Sequence, residues 1–239
     1  MPSETTKYYF ASQAFELELQ WEGRTTHLLS TDWDPATTPA HKKIARIIET
    51  IGHSVHLGFL KAGDSAKEEK IVCKLAHGHG NVKSLEREAE FYRNDLKDLQ
   101  GKVVPQYFGF YKQDLGETIA CLLLEYIDDD DKDITNGPLW YRRVMLAMAE
   151  VHKAGIIHGG LLDFKKEHII RMGKSPRIVD FSRATRHKCE GTLPANEHGV
   201  VPDDVISCEE LRGLEETYGV LSTGRPWRLA QHWRDSMVG

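Results

Sequence analysis

The chain has 239 residues, of which 40% are hydrophobic and 28% charged, a composition that is ordinary for a soluble globular protein. Its formal net charge of −5 gives no overall basic field, which argues against a nucleic-acid partner or an anionic membrane surface. No apolar run approaches the length of a membrane span, and the polar N-terminus has no signal-peptide core, so we expect a cytoplasmic protein with no membrane partner.

Four cysteines, Cys73, Cys121, Cys189 and Cys208, lie far apart and form no pairwise motif. We interpret them as reduced thiols, two of them on buried strands. His187 and Cys189 could contribute to a zinc site, but no second ligand pair occurs at a usual spacing. From spacing alone, we therefore favour a structural role for these side chains over a metal centre.

The first predicted element is a β-hairpin. Apolar residues alternate with polar ones between Phe15 and Trp21, Glu22-Gly23 can turn, and residues 25–29 return. A loop rich in proline and threonine follows at residues 33–39, and two further strands are expected around Gly52.

A lysine and a glutamate in the next two elements are predicted to face inward. Residues 71–75 are typical of a buried strand that carries Lys74, and lysines are seldom buried without a partner. Ser84 can cap a helix on which Glu88 lies beside the apolar stripe, so we expect it to pair with Lys74. In the alternative interpretation, Lys74 extends to solvent from an edge strand and Glu88 bends to water.

The second half of the chain is predicted to contain two strands, an acidic linker and a helix before a loop that begins at His158. The strands are residues 103–111 and 119–126, and the helix spans residues 138–155. A hairpin then leads into Asp180. Burying a carboxylate at the end of a strand costs free energy unless a positive charge, usually a metal ion, compensates it. The alternative is that Asp180 merely ends a hairpin.

The order and spacing of these residues resemble the protein-kinase-like superfamily, in particular the small degenerate kinase-like proteins common in fungi. This resemblance implies an α+β, two-lobed fold with an antiparallel β N-lobe plus one helix (residues 43–126). A truncated, mainly helical C-lobe would follow (residues 127–239). The N-terminal hairpin would be an extension (residues 1–42) laid on the first lobe.

The resemblance also implies that ATP and Mg²⁺ are the cofactors. Lys74 would hold the α- and β-phosphates, Glu88 would orient that lysine, and Asp180 and His168 would bind the metal. Further nucleotide contacts are implied for four positions: Val55, Ile170 and the backbone of Glu125 and Ile127.

The loop after His158 carries the expected catalytic residues, although Gly160 occupies the usual aspartate position. Asp163 is the implied base, paired with Lys165 two residues later, and Asp180 is the third catalytic residue. The expected function is weak or specialised phosphotransfer from ATP to a protein or small-molecule hydroxyl. The alternative is a catalytically inactive pseudokinase that docks a protein partner, which Gly160 and the incomplete glycine loop at Gly52 and Gly58 favour.

Overall fold

The computed structural model describes residues 16–32, 42–63, 67–113, 118–128, 138–161, 168–189 and 208–218. The chain divides into two compact units. The first consists of Met1–Glu90 and Gln106–Tyr126, and the second of Phe91–Pro105 and Ile127–Gly239. No helix in the described ranges is long and apolar enough to cross a membrane.

Seven β-strands of the first unit form a closed barrel, in which the neighbours follow the order β1–β2–β6–β7–β5–β4–β3. The strands are β1 (Glu16–Trp21), β2 (Arg24–Ser30), β3 (Lys43–Thr50), β4 (Val55–Ala62), β5 (Glu68–His77), β6 (Tyr107–Lys112) and β7 (Ile119–Glu125). All neighbouring pairs are antiparallel except β1 and β3, which run parallel.

The N-terminal hairpin closes this barrel. Strands β1 and β2 pair around Glu22 and Gly23, as predicted. Strand β1 also pairs with β3, and β2 pairs with β6 at Leu29 and Ser30. Without the hairpin, β3 and β6 would be unpaired edges of an open sheet. The hairpin is therefore an integral part of the barrel rather than an accessory extension.

The predicted kinase-like fold is wrong. It requires an open antiparallel sheet in the first lobe and a mainly helical second lobe, whereas the structure has a closed seven-stranded barrel. The described residues of the second unit include two α-helices, beside four short strands. The individual strand predictions were largely sound, and the error lay in how the strands join.

Apolar side chains fill the barrel interior. Leu17, Leu28, Ile71, Cys121 and Leu123 are fully buried there and belong to one continuous core cluster. A barrel of this size has an interior just wide enough for such side chains. A ligand of the first unit would therefore bind on the outside of the barrel.

Helix α1 (His79–Glu90) packs on the outer face of the barrel against β5 and β7. It begins five residues before the predicted cap, Ser84. Its buried face consists of Val82, Leu85, Glu88 and Ala89. A π-helical turn (Phe91–Asp95) and a 3₁₀ turn (Lys97–Leu99) follow the helix.

The second unit contains the hairpin and the helix that were predicted for the second half of the chain. The elements are α2 (Pro138–Lys153), β8 (Ile156–Ile157), β9 (Ile169–Met172), β10 (Ser175–Ile178), a 3₁₀ turn (Phe181–Arg183), β11 (Thr185–Arg186) and α3 (Glu209–Tyr218). Strands β9 and β10 form an antiparallel hairpin, and β8 pairs with β11.

Gly58, which the sequence analysis assigned to a glycine-rich loop, lies within β4. A Cβ atom at this position would be 2.6 Å from the Arg46 carbonyl oxygen on β3. We expect Gly58→Ala to lower the free energy of unfolding by about 1–3 kcal/mol because the strands must separate. Urea denaturation measures this change. Gly80→Ala, where nothing lies within 4 Å, is the control, and an equal effect of both substitutions would contradict the close contact.

Candidate functional site

A buried ion pair joins the barrel to its helix. The Lys74 ammonium on β5 lies 2.7 Å from Glu88 Oε1 on α1. Only 13% of the Lys74 side chain and 2% of the Glu88 side chain are exposed. The two residues that the sequence predicted to face each other therefore do so.

Strand alternation explains why Lys74 points outward from the barrel. Ile71, Cys73 and Leu75 belong to the interior core, so the intervening Lys74 and Val72 project from the opposite face of β5. Helix α1 lies against this outer face, and its inward stripe includes Glu88. The two-residue period of the strand thus sets the direction of Lys74, and the 3.6-residue period of the helix sets that of Glu88.

Apolar residues are the strand neighbours of Lys74 on the outer face of the barrel. Val55 is its register partner on β4, and Leu122 is its register partner on β7. Val72 precedes Lys74 on the same face and pairs with Leu124. Val55 and Val72 are half-buried, so the first unit presents an apolar surface beside a cation.

The other predicted nucleotide contacts are distributed over both units. Glu125 ends β7 in the first unit, and its amide N–H donates to the Gln106 carbonyl oxygen at 2.8 Å. A nucleotide base would therefore have to use the Glu125 carbonyl instead. Ile127 is buried in the second unit, and Ile170 is half-buried on β9 opposite Arg177.

Asp180 follows the β9–β10 hairpin and has left-handed backbone geometry, with φ of 68°. Its Oδ2 lies 3.5 Å from His168 Nδ1, a buried nitrogen that makes no hydrogen bond to any of the residues that the structure describes. The structure thus brings together the two predicted metal ligands. The Asp180 carboxylate suits Mg²⁺, which prefers oxygen ligands, whereas the imidazole of His168 does not.

The predicted base cannot be placed, because Asp163 and Lys165 lie outside the described residues. Gly160, at the position expected for the aspartate, donates its amide N–H to His158 Nδ1 at 3.2 Å. His158 Nε2 lies 2.9 Å from the Val179 carbonyl oxygen, so this nitrogen carries the proton. Both His158 nitrogens are bonded to the backbone, so the side chain has a structural role in this loop. Burial lowers the pKa of His158, although the bond to Val179 opposes the shift.

Glu210, in the first turn of α3, holds the segment after β8. Its Oε1 accepts the Gly159 amide N–H at 2.7 Å, and its Oε2 accepts that of His158 at 2.9 Å. The same Oε2 lies 2.7 Å from His152 Nε2. Burial would raise the pKa of Glu210, but the hydrogen bonds from His152, Gly159 and His158 outweigh it and hold the pKa below its usual value.

A second constellation, which the sequence analysis did not favour, surrounds the other nitrogen of His152. His187 Nε2 lies 3.1 Å from His152 Nδ1, Cys208 Sγ lies at 3.5 Å and Cys189 Sγ at 3.6 Å. All four ligand-type atoms lie within 4.8 Å of one another. His152 and Cys208 are the second ligand pair that spacing alone had failed to reveal.

The chain matches no known protein-family profile and no curated protein. The resemblance to kinase-like proteins is therefore a wrong identification, since neither these comparisons nor the closed barrel supports it. The chemistry of the chain has to be argued from its own side chains.

A signal for the His/Cys cluster was present in the sequence. His187-x-Cys189 places two zinc-type ligands on alternate positions of an extended segment, where they can reach one ion. The partners were missed because they come from the last turn of α2 and the residue before α3, which no local motif connects. By contrast, Lys74 and Glu88 could be paired because each showed an unusual inward position within its own element.

Proposed function

We propose that this protein binds ATP with Mg²⁺ on the outer face of the barrel. It transfers the γ-phosphoryl group of ATP to a hydroxyl of a protein or small molecule, with weak or specialised activity. The observation that carries the proposal is the buried Lys74–Glu88 ion pair. A buried ion pair is a weak source of stability, because the cost of removing two charges from water can cancel their mutual attraction. The presence of this pair therefore favours a binding role.

Lys74 is suited to a phosphate oxygen. Its ammonium is a compact positive charge with three donors, and 13% of the Lys74 side chain is exposed. Glu88 fixes the direction of the ammonium through the 2.7 Å contact. A held cation binds phosphate at a lower entropy cost than a mobile surface lysine does.

The apolar neighbours of Lys74 suit a nucleotide base. Val55 and Val72 are half-buried and lie on the same outer face of the barrel as Lys74. Ligand sites typically combine such apolar surface with a few fixed polar groups. A planar base against these valines and phosphates at Lys74 would satisfy both parts of the surface.

Thermal-shift titration tests the binding claim. We expect ATP with Mg²⁺ to raise the Tm of the wild-type protein, since a ligand that binds only the folded state stabilises it. The variant Lys74→Met/Glu88→Leu removes both charges together and should lose this response, with ATP affinity lower by about 10–100-fold. Lys83→Met, an exposed lysine of α1, is the matched control and should respond like the wild type.

The binding proposal fails if ATP leaves the Tm of the wild-type protein unchanged at millimolar concentration. It also fails if the double variant binds ATP as the wild type does. Because the double variant retains a neutral pair in place of the ion pair, loss of binding can be separated from loss of folding by its circular dichroism spectrum and its own Tm.

A second candidate function is nucleotide binding without phosphotransfer, as part of a module that docks a protein partner. The observation that favours it is the position of His168, whose Nδ1 faces Asp180 where an oxygen ligand would better suit Mg²⁺. Transfer of labelled γ-phosphate distinguishes the two. Transfer that Asp180→Asn or Asp163→Ala abolishes supports the enzyme, and ATP binding with no transfer selects the module.

A further inference from the structure

We propose that this protein holds a structural Zn²⁺ ion in its second unit, bound tetrahedrally by four side chains: His152, His187, Cys189 and Cys208. The proposal does not depend on nucleotide binding, since none of these residues belongs to the proposed ATP surface. It assigns a metal centre to His187 and Cys189, which were first interpreted as structural side chains, together with His152 and Cys208.

The three distances from His152 Nδ1 to the other ligand atoms match the edges of a zinc tetrahedron. Zn–N bonds of about 2.05 Å and Zn–S bonds of about 2.3 Å place two nitrogens about 3.3 Å apart and a nitrogen and a sulfur about 3.6 Å apart. The observed N···N distance from His152 to His187 is 3.1 Å. The two observed N···S distances from His152 are 3.5 Å to Cys208 and 3.6 Å to Cys189.

Hydrogen bonding alone does not account for this convergence. His152 Nδ1 carries either one lone pair or one N–H, yet three ligand-type atoms approach it within 3.6 Å. A cation at the centre would be bound by all four groups at once. Two imidazole nitrogens with two thiolates are a ligand set that selects Zn²⁺ among the common metals.

Glu210 provides the outer support that zinc-binding histidines usually have. Its Oε2 lies 2.7 Å from His152 Nε2, and a carboxylate at this distance holds the proton on Nε2. Nδ1 is then the ligating nitrogen, and it faces the cluster. This carboxylate–histidine arrangement orients the ring and raises the basicity of the ligand.

Local structure brings the four ligands together from three segments. Gly155, with φ of 82°, ends α2 just after His152, and the chain returns as β8. Strand β8 pairs with β11, and the His187 amide N–H donates to the Gly155 carbonyl oxygen at 2.9 Å. Cys208 immediately precedes α3, where its carbonyl accepts the Arg212 amide N–H at 3.0 Å. With four protein ligands and no open position, the ion would be structural rather than catalytic.

Metal content measured on the full chain tests the proposal. After expression in zinc-supplemented medium and desalting, we expect about one zinc per wild-type chain by inductively coupled plasma mass spectrometry. Cys208→Ser should lower zinc content by at least about tenfold. Cys121→Ala, which removes a buried thiol from the barrel instead, is the matched control and should retain the zinc.

Cobalt substitution keeps the test informative if Cys208→Ser fails to fold. Wild-type protein reconstituted with Co²⁺ should show the intense d–d bands of tetrahedral coordination and a sulfur-to-cobalt charge-transfer band. Cys189→His exchanges one zinc-type ligand for another, so it should keep the metal while its charge-transfer band falls to about half. The proposal is overturned if wild-type protein carries less than about 0.1 zinc per chain, shows no tetrahedral cobalt spectrum, or contains a Cys189–Cys208 disulfide by mass spectrometry.

Discussion

Lys74→Met is expected to lower the free energy of unfolding by about 3–5 kcal/mol, because it removes the ammonium that neutralises the buried Glu88 carboxylate. Glu88 is only 2% exposed, so it cannot recover solvation without movement of α1. Adding Glu88→Leu should restore most of the stability, since a buried ion pair can often be replaced by apolar residues at little cost. Urea denaturation of the two single variants and the double variant measures the coupling.

The chain supplies its own control for this prediction. Lys112 on β6 and Glu86 on α1 also form an ion pair, but 32% and 38% of their side chains are exposed. Lys112→Met should cost at most about 1 kcal/mol, because exposed pairs contribute little. If Lys74→Met proves no more destabilising than Lys112→Met, burial does not raise the cost of breaking the Lys74–Glu88 pair, and the prediction is wrong.

Glu210→Ala is expected to lower the free energy of unfolding of the second unit by about 3 kcal/mol or more. The substitution leaves the amide N–H groups of His158 and Gly159 without their carboxylate acceptor, and each buried unsatisfied group costs about 1–3 kcal/mol. His152 Nε2 loses its acceptor at the same time. Chemical denaturation followed by circular dichroism measures the change.

Glu209→Ala provides the comparison for Glu210→Ala. The two glutamates are adjacent in the first turn of α3, but Glu209 is exposed and Glu210 is 6% exposed. We expect Glu209→Ala to change stability by no more than about 0.5 kcal/mol. Similar effects of the two substitutions would mean that only the helix terminus, and not the hydrogen bonds of Glu210, is important.

Secondary structure was largely readable from the sequence because it depends on local patterns. Alternation predicted the N-terminal hairpin, and apolar spacing with Pro138 and Gly155 predicted α2. The barrel was not predictable in this way. Its closure depends on the pairing of β1 with β3 and of β2 with β6, and neither pairing leaves a signal within one segment.

The wrong fold identification has a physical explanation. A lysine on a strand and a glutamate on a helix can pair in any fold that packs the helix against the sheet with these two residues facing each other. The arrangement of Lys74 and Glu88 is therefore compatible with an open sheet and with a closed barrel alike. The order of the motifs along the chain correctly predicted the contact between Lys74 and Glu88, but it did not determine how the strands pair.

The site was predictable to the extent that each residue was unusual within its own element. Lys74 in an apolar strand and Glu88 beside an apolar stripe each indicated a buried partner. The His/Cys cluster gave only half of its signal, in His187-x-Cys189, because a histidine at the end of α2 and a cysteine before α3 are each ordinary in their own segments. Only the return of the chain through β8 and β11 makes His152 and His187 neighbours.

The most direct test of the central claim follows the Lys74 ammonium itself. In ¹⁵N-labelled protein, its Nζ resonance can be assigned by its absence from Lys74→Met/Glu88→Leu. We predict that ATP with Mg²⁺ shifts this resonance in a saturable way and that adenosine, which lacks phosphates, does not. An Nζ resonance that stays unchanged at saturating ATP would contradict the claim that Lys74 is the phosphate-binding group.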